Sequence, residues 1–167
     1  MADHLRSVKT GLALVLLGLC LNVGLGIAFG ANEDMFQSYI SEGIQAHPEI
    51  LSEKSASRIW RFAQRAHFHA GGIAAFSLGL IIITALSSLR AGMKTLTSIL
   101  IGLSGFYPLS WFSMFLLSPS IGTAAAHHHV LNDGCVYAGV GGLLLGVLLL
   151  VSNLFFGLFS EHAGWAD

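Results

Sequence analysis

The sequence predicts an all-α protein, a four-transmembrane-helix bundle with an amphipathic interfacial helix in the first outer loop. Three observations carry that prediction. Hydrophobic residues make up 54% of the 167-residue chain and charged residues only 10%, against about 25% charged in soluble domains. Mean hydropathy is +0.71. The apolar residues gather into four runs, at about 8–30, 65–89, 94–117 and 133–159, each at or above the roughly 20 residues that a membrane helix needs. The chain, 1–167, is then one integral membrane domain in a lipid bilayer, with one substantial loop and little or no soluble module. A net charge of −1 offers nothing to nucleic acid, whose phosphates demand a basic surface.

The first run follows Arg6 and Lys9. It could be taken for a secretory signal ending near Ala28–Ala31, but its apolar core exceeds the roughly 7–15 residues of such signals, so a retained span is expected. Gly18, Asn22, Gly26 and Gly30 fall four apart along it, a ridge of mostly small residues on which another helix can pack closely. Residues 32–60 form the long polar stretch. Asn32 can cap a helix, Glu33 and Asp34 suit its first turn, and Met35, Phe36, Tyr39, Ile40 and Ile44 repeat at helical spacing on one face. An amphipathic helix lying on the membrane surface, or lidding the bundle, is expected there. His47-Pro48 marks a restart, since proline suits a first helical position, and from there the pattern could continue without a break into the second span, as an over-long helix whose first turns stand out of the lipid.

The third run contains Gly105-Phe106-Tyr107-Pro108, which should bend it near its middle because proline removes a backbone donor. The fourth carries Ala138, Gly142 and Gly146 on one line, a second close-packing ridge. Cys20 and Cys135 belong at different depths, so two free thiols are expected rather than a disulfide. Lys and Arg lie before the first span (Arg6, Lys9) and between the second and third (Arg90, Lys94), whereas 118–132 holds none. The expected topology therefore puts both termini in the cytoplasm.

The chemistry gathers in the histidines. His67 and His69 open the expected second span, and His127, His128 and His129 precede the fourth, so an even number of spans places both groups at one membrane face. Asp133 follows, and Arg61 and Arg65 stand beside the pair. Imidazole ligates haem iron, copper or zinc. Haem b held by histidines of two helices is one reading, with Arg61 or Arg65 available to its propionates. A transition metal ion (copper, iron or zinc) held by His67 or His69 with two of His127, His128 and His129, and with Asp133 within the set, is another. In a third, interfacial His and Arg simply snorkel to headgroups, and Asp133 caps the fourth helix. Residues two apart on a helix point about 200° apart, so His67 and His69 should not share one ion. No nucleophile–base pair, phosphate loop or carboxylate pair supports hydrolytic chemistry.

Ala66-His67-Phe68-His69, with small residues behind it, resembles the Ala-His-x-His segment of haem-copper oxidase subunit I, and of small four-span bacterial proteins similar to the amino-terminal region of that subunit. In those relatives Asn and then Gly follow, where this chain has Gly71 and Ala74. The resemblance implies His67 or His69 as an axial haem ligand, a partner among His127 to His129, and a bacterial inner membrane. The oxidase's copper site and tyrosine cofactor have no counterpart, so no oxygen reduction is implied. The sequence thus leads to a small electron-transfer or metal-handling membrane protein rather than an enzyme. The alternative is a structural or interaction subunit working with other membrane subunits.

Overall fold

The computed structural model describes residues 5–161. Helix α1 runs over Lys9–Ala46 and α2 over Glu53–Leu86. The third span comprises α3 (Ala91–Gly102), a 3-10 turn at Leu103–Gly105, and α4 (Phe106–Ile121). The fourth comprises short α5 (Thr123–His127), α6 (Val130–Val136), a π-helical segment at Tyr137–Gly141, and α7 (Gly142–Phe156). Four helical stretches are long and apolar enough to cross a membrane: Lys9–Ala46, Glu53–Leu86, Ala91–Ile121 and Thr123–Phe156. Cys20 and Cys135 are both free.

The first two spans are much longer than their apolar runs. At 1.5 Å per residue, the 38 residues of α1 reach about 57 Å and the 34 of α2 about 51 Å, against a hydrocarbon layer of roughly 30 Å. Residues 32–60 do not form a separate helix on the membrane surface. They are the far ends of α1 and α2, joined by a connection at residues 47–52. Asn32 departs from helical geometry (φ −151°, ψ 46°) and puts a bend in α1, so Glu33 and Asp34 do begin a new helical stretch. Its apolar face has found protein rather than headgroups. Phe36 and Ile40 are buried with Leu51, Ile59, Phe62, Met114 and Phe115, and the Tyr39 hydroxyl donates to the Leu116 carbonyl at 2.6 Å. The restart comes at Glu53, five residues beyond Pro48, where the Ser52 amide donates to Ser55 Oγ at 3.2 Å.

A second buried cluster, of Val8, Val15, Ala74, Ile81, Ala85 and Ile101, fills the opposite half of the bundle. Helices approach closely there: a Cβ on Gly11 would collide with the Ser98 carbonyl. The third span is the hub, since α3 and α4 between them touch α1, α2 and the fourth span. Just before Pro108, which has no N–H to offer the Ser104 carbonyl, its α-helical bonding gives way to the 3-10 turn. Gly142 and Gly146 seat α7 against Leu100 to Leu103, while Leu144, Leu145, Leu148 and Leu154 face outward. After α7, Gly157 takes left-handed geometry (φ 65°), and the chain folds back so that the Arg90 amide donates to Phe159 O and the Glu161 amide to Ser88 O, both at 3.0 Å. The start of α1, the α2–α3 turn and the end of the fourth span thus share one end of the bundle.

Candidate functional site

His67 and His69 face different neighbours. His67 shares its side of α2 with Gly71 and Ala74, and that side lies on the small-residue ridge of α1. Ala74 meets Gly18, Gly71 sits under the Asn22 side chain, and the His67 ring lies over Gly26. A Cβ on Gly26 would be 3.0 Å from His67 Cε1, so glycine is what allows the ring to lie between the helices. His67 Nδ1 is 3.0 Å from the Asn22 carbonyl. A carbonyl only accepts, so Nδ1 is the nitrogen that donates, and Nε2 is the one that a neutral ring would leave with a lone pair. Phe29 and Phe68 flank the ring at centroid distances of 5.9 and 5.5 Å. The interhelical bond uses the Asn22 backbone rather than its side chain.

His69 faces α4. Its ring stacks on Trp111 (5.8 Å, 19° between planes) and meets Tyr107 edge-on at 5.1 Å. One turn earlier on α2, Arg65 places Cζ 4.7 Å from the centre of the Trp111 ring, a cation–π contact. Arg65 is thus engaged on the side of α2 away from the His67–Asn22 bond, and Arg61 is exposed. The Trp111 indole Nε1 is buried with no hydrogen-bond partner among the described residues. Trp111 was missed by the sequence reasoning. The signal for it is a matched spacing, Arg65 and His69 four apart on α2 and Tyr107 and Trp111 four apart on α4.

The histidine tripeptide lies at the same end of the bundle but in a different layer. A Cβ on Gly139 would stand 2.6 Å from the Tyr107 amide nitrogen, so Gly139 is level with Tyr107 and His69. Ten residues of helix separate Gly139 from His129, a rise of about 15 Å. From the other side, Arg58 donates to Thr123 Oγ1 at 3.4 Å, and Arg58 lies nine residues before His67, about 14 Å along α2. The expected sharing of one layer therefore does not hold. The physical reason is the early start of α2 at Glu53, which puts His67 and His69 near the middle of that helix instead of at its mouth. His127 and His128 are exposed with rings 4.9 Å apart. His129 is the N-cap of α6, its Nδ1 accepting the Leu131 amide at 3.2 Å. Asp133, expected as that cap, instead occupies the first turn. Asn132 locks the segment by donating to the His127 carbonyl at 2.6 Å. Among the described residues, no three His, Cys, Asp or Glu side chains are disposed to hold a metal ion.

No family model matches this chain, and neither does any curated protein or solved structure. The fold alone sets its class, an all-α protein with four helices suited to crossing a membrane.

Proposed function

We propose that this multi-pass membrane protein uses His67 to ligate haem b or a transition metal ion, in the service of electron transfer or metal handling. The observation that carries the reading is the 3.0 Å bond from His67 Nδ1 to the Asn22 carbonyl. It aims the ring and makes Nε2 the nitrogen available to a ligand, the arrangement that backbone carbonyls hydrogen-bonded to the other ring nitrogen impose on ligating histidines. Depth adds support. Asn22 lies thirteen residues beyond Lys9 in α1, about 20 Å up a helix crossing a layer of roughly 30 Å. Titratable groups at such depths are functional by default.

A partner ligand has to come from elsewhere, since His127, His128 and His129 lie about 15 Å away along the bundle. His69 is the weaker candidate, because Trp111 covers its ring. A second reading, a non-catalytic structural or interaction subunit of a membrane complex, draws on that same separation and on the outward row of leucines on α7. Optical spectroscopy and metal analysis of the purified protein distinguish the two. The first reading expects a Soret band, or stoichiometric metal without one, that disappears in His67→Ala and persists in His69→Ala. If the wild-type protein carries neither chromophore nor metal, the first reading falls and the second stands.

A further inference from the structure

Two cavities lie on one seam, where α1 runs beside the third span. At the end holding Lys9 and Arg90, a cleft of about 480 Å³ is lined by Arg6, Ser7, Gly92, Lys94, Thr95 and Glu161. Further along, a groove of about 260 Å³ is lined by Leu14, Gly18, Leu21, Gly102, Gly105 and Leu109, among others. Seven residues, two helical turns or about 10 Å, lead from Ser7 to Leu14 on one wall and from Thr95 to Gly102 on the other. The two cavities therefore lie on the same faces of both helices. Between them Gly11 abuts the Ser98 backbone and closes the floor of the seam.

The cleft is short of negative charge. Lys94 is only 8% exposed. Its Nζ donates to the Ala85 carbonyl at 2.9 Å, which uses one of the three N–H groups of an ammonium. Among the described residues the ion pair present is that of His47 with Glu49, at the far end of the bundle, so Lys94 has no carboxylate partner there. A buried cation without a counter-charge is costly. Arg6 lines the same cleft, where Glu161 is the one acidic side chain among the described residues, and α3 begins there without a side-chain cap on its first amides. An anion is the complement such a place calls for. The groove beyond is almost wholly apolar and lies at the depth of acyl chains.

We infer that the seam binds an anionic glycerophospholipid, its phosphate in the cleft of Arg6 and Lys94 and one acyl chain along Gly18, Gly102 and Gly105. This site is separate from His67 and stands whether or not that residue ligates a metal. Basic clefts between membrane helices recognise lipid headgroups through the same chemistry.

Native mass spectrometry of the full chain in mild detergent tests it, with dioleoylphosphatidylglycerol and dioleoylphosphatidylcholine supplied in equal amounts. The expected result is preferential retention of phosphatidylglycerol. Arg6→Gln should cut the preference roughly fivefold, the factor for one basic group at an anionic surface. Gly92→Asp, whose Cβ meets open space, should abolish it without disturbing the fold. Gly105→Leu also enters open space from ordinary helical geometry (φ −60°), and should lose both lipids by filling the groove. Equal retention of the two lipids by the wild type overturns the proposal, as does a preference unchanged in both headgroup variants or full retention by Gly105→Leu. Excess inorganic phosphate should leave the phosphatidylglycerol bound; complete displacement would make the site one for free phosphate and overturn the lipid assignment.

Discussion

Replacing Gly139 by alanine puts one methyl group where the fourth span meets α4. The new Cβ would stand 2.6 Å from the Tyr107 amide nitrogen, 3.0 Å from its Cβ and 3.1 Å from its Cα, where ordinary contact begins near 3.4 Å. Two of these three atoms are backbone inside a helix, so no rotamer change relieves the overlap, and the two spans must part by about 0.8 Å. Overpacking of this kind costs about 1–3 kcal/mol, a 5- to 150-fold change in the ratio of folded to unfolded protein. Between helices in lipid no hydrophobic term presses the gap closed again, since acyl chains are as apolar as the side chains. Gly134→Ala is the matched control: it lies in the same span, its Cβ meets nothing within 4 Å, and it should gain up to about 1 kcal/mol of helix propensity. Equilibrium unfolding in mixed micelles, followed by tryptophan fluorescence, gives the comparison, and Trp111, 6.2 Å from Tyr107, reports on the seam itself. A Gly139→Ala protein as stable as the wild type would refute the close-approach account.

Two further perturbations probe the polar contacts. Ser77 and Ser104 share a buried hydrogen bond of 2.9 Å between α2 and the 3-10 turn. A double-alanine cycle should return a coupling of about 0.6 kcal/mol, the usual size for such bonds between membrane helices, and a coupling of zero would show the bond to be incidental. Tyr39→Phe removes the 2.6 Å bond to the Leu116 carbonyl and should release about 1 kcal/mol. Hydrogen exchange should then quicken over 33–46 and stay unchanged in α3, whereas a uniform change would mean that the far end of α1 is not held locally.

The parts of this fold legible in sequence are those set by local pattern. Gly18, Asn22 and Gly26 announced a packing ridge, and each touches α2, at Ala74, Gly71 and His67; Gly30, on the same line, meets nothing. The 200° between His67 and His69 follows from helical geometry and is realised as two different partners, Asn22 and Trp111. What the sequence left open or misplaced depended on the identity of a distant surface. The apolar face of Phe36 and Ile40 has the same periodicity whether it rests on headgroups or on Met114 and Phe115, and nothing within 32–60 distinguishes the two. The depth of the histidines failed for a related reason. Lys54, Arg58, Arg61 and Arg65 look like the edge of a bilayer, but they ride on a helix that has already begun at Glu53; the pattern from Pro48 allows that over-long helix, yet the basic run still assigns the histidines to its mouth. The His67 bond to a backbone carbonyl leaves no trace in residue types at all.

The bend at Asn32 has a thermodynamic counterpart. Measured from Lys9, a layer of roughly 30 Å ends near residue 29 of α1, so a bilayer of that thickness would cover the cluster of Val15, Ala74 and Ile81 and leave Phe36 and Ile40 at or beyond its watery edge. Water-driven association weakens on cooling, and association within hydrocarbon lacks that driving force. The same two helices therefore obey one temperature law above the bend and another below it, and a cooled sample should loosen from its watery end first.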